Sequence, residues 1–382
     1  MKQENWKVSL LLGVMKHMVI EKFLDNSLSS WMAGRGEHSD IVMSTRIRLA
    51  RNLTGYRFPL AFTEDEAHRI DQSISATLLD ASEELQMKIS SVQIKDLSEL
   101  NRQVLVEKHL ISPKLANSRI EGSVLLSEDE SVSVMINEED HIRMQCLFPG
   151  LQIEEAYALA DKIDRILEKE LSYAFDEQFG YLTSCPTNTG TGLRASVMMH
   201  LPALTMSKQM NRIVTIISRL GMVVRGIYGE GSEALGNVYQ VSNQTTLGKS
   251  EEDILADLQS ITEQIIQKEK EARSALLKHS ANTLEDRLYR SLGTLSFARI
   301  LTTEEAGKCL SDIRLGIDMG LIQDVDVTIL NECMVFMQPG FLQKFAGATL
   351  NTSERDMFRA KLIRERLQKM GEKRITKGEE LA

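Results

Sequence analysis

Seven residues constrain this chain more than any others: Asn137-Glu138-Glu139-Asp140-His141-Ile142-Arg143. Three consecutive carboxylates run straight into a His and an Arg. They lie between the apolar run Val132-Ser133-Val134-Met135-Ile136 and the half-apolar Met144-Gln145-Cys146-Leu147-Phe148. Alternating runs on both sides of a polar break read as two strands meeting at a turn, which demands an antiparallel pair and therefore a sheet. An ordinary solvated face mixes its charges with Ser, Lys and Gln. A dense acid cluster at a strand end beside an Arg suits a site that handles both a cation and an anion. On these residues alone two readings stay open: such a site, or an exposed hairpin tip closed by a salt bridge.

The chain has 382 residues, enough for two domains. Hydrophobic residues make up 42% and aromatic residues 5%, so the expectation is a soluble protein with an aliphatic core. A net charge of -9 argues against broad binding to nucleic acid or anionic membranes through bulk charge. Cys146, Cys185, Cys309 and Cys333 are far apart and form no C-x-x-C pair. That is neither a zinc pattern nor a disulfide framework, and a reducing, cytoplasmic setting is expected. The short apolar piece Val8-Ser9-Leu10-Leu11-Leu12-Gly13-Val14-Met15 behind Lys2 and Lys7 resembles a weak signal peptide. It is followed by Lys16 and His17 and lacks a small-residue cleavage site. Residues 1–17 therefore read as an N-terminal extension, an over-long start with Met18 as the natural beginning. No segment reaches the roughly 18 apolar residues of a membrane helix.

Hydrophobic periodicity predicts helices over 19–33, 64–85, 152–175 and 205–220. The second is opened by Thr63 with Glu66 three positions on, a capping-box spacing. Strands are predicted over 123–126, 132–136, 142–147, 181–184, 195–201, 222–228 and 238–242. From Ser250 onward the pattern is almost wholly helical, over 250–278, 283–297, 303–319, 325–337 and 353–370. No internal repeat is present. The expected class is α+β: an antiparallel sheet flanked by helices over residues 18–275, then a small all-helical domain over 276–382.

Three further clusters carry chemistry. In Ser44-Thr45-Arg46-Ile47-Arg48 the two arginines face one side if the segment is extended. Side by side they repel unless an anion separates them, and a polyphosphate does so; a solvated edge strand is the alternative. Cys185-Pro186-Thr187-Asn188-Thr189-Gly190-Thr191-Gly192-Leu193-Arg194-Ala195-Ser196 is a Gly/Thr-rich loop able to wrap a ligand with backbone N–H groups. It is not a P-loop, because no Lys-Ser/Thr follows the second Gly. Arg225-Gly226-Ile227-Tyr228-Gly229-Glu230-Gly231 is a glycine-hinged loop with one Arg and one Glu, or else a surface turn.

Together these clusters resemble the catalytic domain of the phosphagen (guanidino) kinase family. The matching segments are STRIR at 44–48, NEEDHIR at 137–143, CPTNTGTGLRAS at 185–196 and RGIYGE at 225–230. All four stand in the family's order. The chain departs from the small-guanidine kinases, which carry an N-terminal helical domain that closes over the free amino acid. Only 43 residues precede Ser44 here, and helices follow instead. RGIYGEG also stands where those enzymes have RGTRGEH, so Tyr228 replaces a basic residue. The architecture resembles the bacterial branch of the family that phosphorylates arginines within proteins.

The resemblance implies transfer of the ATP γ-phosphoryl group to a guanidinium nitrogen, with Mg2+ as the expected bridge and no metal ligands assigned to protein side chains. Implied nucleotide residues are Ser44, Thr45, Arg46, Ile47 and Arg48; His109 and Arg143; Arg194, Ala195, Ser196, Val197 and Met198; and Arg225, Gly226, Ile227, Tyr228, Gly229 and Glu230. Elementary chemistry supports the division of labour. Phosphoryl transfer is mostly positioning and charge neutralisation, which forked arginines supply. The acceptor is a cation with a pKa above 12, and its full deprotonation at pH 7 would cost roughly 7–8 kcal/mol. Two carboxylates can hold its planar fork, align one nitrogen and take the proton as the bond forms. Glu139 is the expected main carboxylate and Glu230 the second. Cys185 matches the family's reactive cysteine, where a thiolate adds negative charge; a buried inert thiol is the alternative.

Near the end, Arg355 and Arg359 are four apart and share a helix face beside Asp356 and Ala360. The resemblance implies an allosteric phosphoarginine site there. The alternative is a capping arrangement with Ser353 as the N-cap and Asp356 at the third helical position. The family further suggests an activating zinc-containing adaptor, a heat-shock repressor and the Clp protease as partners, and an apolar helical part able to dimerise. Two other functions remain on the table: a small-molecule arginine kinase, and a silent phosphoarginine-binding adaptor.

Overall fold

The computed structural model describes residues 20–24, 29–118, 120–226, 234–323 and 325–379. The predicted extension over 1–17 lies outside them. The strands, in chain order, are β1 (Val42–Arg51), β2 (Ile89–Gln93), β3 (Ser123–Ser127), β4 (Val132–Ile136), β5 (Ile142–Pro149), β6 (Phe175–Asp176), β7 (Gly180–Tyr181), β8 (Leu193–His200), β9 (Met222–Gly226) and β10 (Val238–Asn243). Eight of them form one sheet, ordered β2-β3-β4-β5-β1-β8-β10-β9, while β6 and β7 pair separately. The predicted hairpin is present: β4 and β5 run antiparallel with Ile136 opposite Ile142, so Asn137–His141 close the turn.

The chain divides into two compact units, each drawing on interleaved stretches. The first comprises residues up to Ser30, Ile47–Leu147 and Tyr157–Leu193. β3 and β4 are buried along their whole length. Helix α1 (Glu64–Asp80) opens with the predicted capping box, Thr63 and Glu66 bonding to each other's backbone N–H. Its Ile70, Ile74 and Leu78 are fully buried. Complete burial of such side chains contributes roughly 1.5–3 kcal/mol each. Two short helices, α2 (Glu99–Glu107) and α3 (Pro113–Ala116), lie between residues 85 and 123, where the periodicity predicts no element. Helix α4 (Ile153–Glu170) matches the prediction over 152–175. The predicted helix over 19–33 is shorter: residues 20–24 are helical and Ser30–Met32 form a 3-10 turn.

The second unit comprises Trp31–Arg46, Phe148–Ala156 and Arg194–Ala382. It holds α5 (Pro202–Met206), α6 (Met210–Arg219), α7 (Glu251–Phe297), α8 (Thr303–Asp318), α9 (Val327–Phe336), α10 (Pro339–Ala346) and α11 (Thr352–Glu379). The two helices predicted over 250–278 and 283–297 are one 47-residue helix, α7, interrupted at Ser280, whose φ of -146° is not helical. Pro202 and Pro339 stand at the starts of α5 and α10, where a missing N–H costs nothing. Both helices escaped the periodicity reading because they are too short to show it.

Buried arginines join the helices to the segment that leads into β1. Arg273 of α7 donates to the Asp40 carbonyl at 3.0 Å, and Arg314 of α8 donates to the Ser39 carbonyl at 2.8 Å. Helices and sheet together give the expected α+β class with a helical C-terminal region. No helix among the described residues is long and apolar enough to cross a membrane.

Candidate functional site

In the first unit the acidic turn divides its carboxylates among different tasks. Glu138 is buried. Arg143 Nη1 donates to both of its oxygens at 2.9 Å, Ser112 Oγ donates at 2.6 Å, and the Glu139 N–H donates at 2.7 Å. Burial alone would push the Glu138 carboxyl up, but the Arg143 charge and these donors outweigh it and hold the group below its usual range. Glu139 is different. Its side chain is 33% exposed and faces the Lys114 ammonium at 3.6 Å. Exposed pairs of that kind are weak and readily exchanged.

Asp140 and His141, which the sequence leaves without a role, brace the turn. Asp140 Oδ1 accepts from Asn52 Nδ2 at 2.7 Å and from the Ser184 N–H at 2.6 Å, just before Cys185. His141 Nδ1 accepts from the Leu53 N–H at 3.0 Å, which leaves Nε2 to donate to the Arg57 carbonyl at 2.9 Å. Phe62 stacks on its ring, and Tyr56 and Phe58 meet it edge-on. Burial lowers its pKa, so this imidazole is a neutral bracket. Asn137 adopts a left-handed φ of 58° and donates from Nδ2 to the Ala67 and Glu121 carbonyls. Asn is among the residues that tolerate that conformation.

His109 also takes a left-handed φ, at 60°. Its carbonyl accepts from Gln145 Nε2 at 2.6 Å, and Gln145 is two residues beyond Arg143 on β5. Residues two apart on a strand share a face, so His109 is drawn to the Arg143 side. Cys185 is free and partly exposed, with Sγ 3.0 Å from Thr187 Oγ1. Its loop is closed by Thr183 Oγ1 donating to the Cys185 carbonyl at 2.7 Å. The other three cysteines are buried, and burial raises each of their thiols.

On β1 the half-buried Arg46 and Arg48 alternate with the buried Ile47 and Leu49, the pattern the sequence predicted. Ser44 and Thr45 are buried. Thr45 Oγ1 donates to the Gly150 carbonyl and accepts the Gln152 N–H, which makes it a backbone staple.

In the second unit, Arg46 Nη2 donates to Gln240 Oε1 at 2.8 Å. Gln240 on β10 sits directly opposite Met198 of β8 on one side and Arg225 of β9 on the other. Opposed residues share a sheet face, and on β8 so do Arg194, Ser196 and Met198. Gln240 therefore lies on the same face as Arg194 and Arg225 while bonding Arg46. Sequence reasoning missed it, since a lone Gln in a strand carries no motif. Ala195 and Val197 are fully buried, the Ala195 N–H donates to Asn243, and Ser196 Oγ donates to the Arg46 carbonyl. Arg225 is exposed near the end of β9, where Gly226 pairs with Tyr239. Ile227, Tyr228, Gly229 and Glu230 lie outside the described residues.

In the C-terminal helices Arg359 is buried. It donates to the carbonyls of Met337 at 3.0 Å and Leu301 at 2.7 Å, and to Asp356 at 2.5 Å. Arg355 is half-buried and donates to the Leu350 carbonyl and Thr352 Oγ1. Ala360 is fully buried. The capping alternative is corrected here. Asn351 Oδ1 accepts the Glu354 N–H and Glu354 accepts the Asn351 N–H, so the cap is Asn351 with Glu354 rather than Ser353 with Asp356. Asp356 is thereby left for Arg359.

The antiparallel sheet with arginines on alternate positions of β1 and an acidic hairpin tip falls in the class of the ATP:guanido phosphotransferases. The C-terminal catalytic domain of that family matches residues 69–272, and the protein-arginine kinase McsB C-terminal domain matches residues 281–378. A protein-arginine kinase of Geobacillus thermodenitrificans is 55% identical over 363 residues, which is 95% of this chain and 100% of that protein. The chain belongs to the protein-arginine kinases of the ATP:guanido phosphotransferase family. Among solved structures, the duplicated taurocyamine kinase from Schistosoma mansoni with bound transition state analog components is 26% identical with a TM-score of 0.56. That likeness covers 65% of this chain and 36% of the taurocyamine kinase, so this chain spans about a third of it. Lombricine kinase shares the fold at 23% identity and a TM-score of 0.55, over 65% of this chain and 72% of that one.

Proposed function

We propose that this chain transfers the γ-phosphoryl group of ATP to a guanidinium nitrogen of arginine residues in proteins. The observation that carries the reading is the split within the acidic turn. Glu138 is spent on Arg143, while its neighbour Glu139 stays accessible and already holds a cation, the Lys114 ammonium. The acceptor guanidinium takes that place. As the N–P bond forms and the bond from phosphorus to the β-phosphate oxygen breaks, Glu139 receives the proton released by nitrogen. Glu230 is assigned the second carboxylate on the family resemblance, and Cys185 a supporting negative charge. Arg46, Arg48, Arg143, Arg194 and Arg225 are assigned to the phosphates, with His109 near the base. These arginines are donors that match phosphate oxygens and cannot ligate a cation, so Mg2+ would be carried on the nucleotide's own oxygens. When bound there it would neutralise phosphate charge.

Arg355, Asp356, Arg359 and Ala360 are proposed as an allosteric phosphoarginine site. Residues 18–275 are proposed as the catalytic part and 276–382 as the regulatory part, which also mediates homodimer formation. A cytoplasmic setting is proposed on the same family reading. Proposed with it are a heat-shock repressor as substrate, a zinc-containing adaptor as activator and the Clp protease as consumer of the products. The decisive experiment is incubation with ATP and Mg2+ together with a basic protein, followed by acid. An N-phosphate is lost in acid; phosphate that survives acid, or transfer to free arginine alone, defeats the reading.

A further inference from the structure

We infer that the cleft beside the acidic turn is a substrate subsite that takes a bulky apolar side chain within two residues of the acceptor arginine. The inference rests on the reading of Glu139 given above and deepens it. The cleft has a volume of about 520 Å³; Pro59, Leu60, Phe62, Pro113 and Ile120 form its apolar wall, and Lys114, Asn117, Ser118, Asn137 and Glu138 its polar part.

Each wall is tied to the turn itself. The Pro59–Phe62 wall follows Arg57, whose carbonyl receives His141 Nε2, and Phe62 stacks on the same imidazole. The Pro113 wall starts at Ser112, whose hydroxyl donates to Glu138. The Ile120 wall runs into Glu121, whose carbonyl receives Asn137 Nδ2 at 3.1 Å. Three residues of one turn thus fix three walls, and Glu139 belongs to that turn. A cavity braced in this way keeps its position relative to the acceptor carboxylate before any substrate arrives.

The lining names the occupant. Leu60 is 81% exposed and Ile120 42% exposed, two large aliphatic side chains open in a concave wall. An apolar side chain entering the cleft covers them and gains by leaving water. Lys114, 49% exposed, stands in the wall 3.6 Å from Glu139. Its charge disfavours a Lys or Arg in the cleft, while the acceptor guanidinium displaces it from Glu139. Two residues of extended chain span about 7 Å, so a side chain within two positions of the acceptor reaches an adjoining cavity. A free guanidino compound leaves the cleft empty.

The test uses the full chain, ATP and Mg2+, and peptides with a single arginine. Leu, Ser or Lys is placed in turn at each of the four positions within two residues of it, and acid-labile phosphate gives kcat/KM. At one position or more, Leu is expected to exceed Ser by about tenfold, about 1.4 kcal/mol, with Lys lowest. In a Leu60→Asp, Ile120→Asp double variant the Leu-to-Ser ratio falls to about unity and the Lys peptide overtakes. A ratio within one enzyme is insensitive to how much of it is active. The single Leu60→Ser change, at an exposed position, supplies the ratio if the double variant does not fold. Equal values for Leu and Ser at every position in the wild type, or a ratio unchanged in the variants, overturn the subsite and leave the arginine-kinase reading standing. Failure to phosphorylate both the peptides and a basic protein overturns the two together.

Discussion

At the scale of single residues, two adjacent glutamates illustrate how neighbours of identical chemistry acquire different work. Glu138 has every oxygen engaged, and Glu139 has one loosely held cation. The two substitutions should therefore fail differently. Glu139→Ala is expected to abolish arginine phosphorylation while nucleotide binding stays near wild type. Glu138→Ala frees Arg143 and leaves the Ser112 hydroxyl without its acceptor, though still capping the Leu115 N–H, so nucleotide affinity should fall about tenfold or more. The thermal midpoint should also drop, since bonds to a charged group contribute about 1.5–3 kcal/mol. Calorimetric titration with nucleotide separates the pair; equal loss of binding in both would remove the distinction. The pH dependence has a definite sign. The folded Glu138 pKa lies below the ordinary value of about 4.3, so its stabilisation is present above that pH and is lost as pH falls through the depressed value. The stability gap between wild type and Glu138→Gln should be flat from pH 8 to 5 and close only in stronger acid. Glu139 was legible in the sequence as the acceptor carboxylate of this proposal. Asp140 and His141 were not, because their partners Asn52, Arg57 and Ser184 lie 44 to 88 positions away. No local pattern records such pairings.

At the scale of elements, periodicity was a good guide wherever an element is long and one-sided. The β4–β5 hairpin, α1 with its cap, and the alternation on β1 all follow from side-chain spacing alone. What spacing does not reveal is which residue of a neighbouring strand stands opposite. Gln240 becomes visible only through the register that sets it between Met198 and Arg225 and within reach of Arg46. It is thus a positioning residue for Arg46. Gln240→Leu keeps the size and strand tolerance but removes the acceptor, so Arg46 loses one bond that restrains its fork. The KM for ATP should rise about tenfold, equivalent to about 1.4 kcal/mol, with kcat changed less. Gln240→Glu keeps an acceptor and should recover part of the affinity. An unchanged KM in the Leu variant would show that Arg46 is held adequately without it.

At the scale of the whole molecule, the order of the parts was readable but the basis of the C-terminal arginine pair was not. The sequence offers Arg355 and Arg359 as equals on one helix face. The structure makes them unequal. Arg359 is buried and ties α11 to the Leu301 and Met337 carbonyls, so it helps to hold three segments of the helical region together. Arg355 is half-buried and, among the described residues, bonds near its own helix start, at Leu350 and Thr352. A ligand that binds both must therefore be tested through Arg355. Arg359→Ala breaks a buried charged network and should cost about 3–5 kcal/mol, lowering the thermal midpoint and disturbing activity whether or not phosphoarginine binds. Arg355→Ala should leave the midpoint within a degree or two of wild type. If the proposed allosteric site is real, that variant loses phosphoarginine binding and the accompanying stimulation while its unstimulated turnover persists. Phosphoarginine titration followed by calorimetry decides the matter. Wild-type binding by a stably folded Arg355→Ala protein would reduce the cluster to a structural tie between helices.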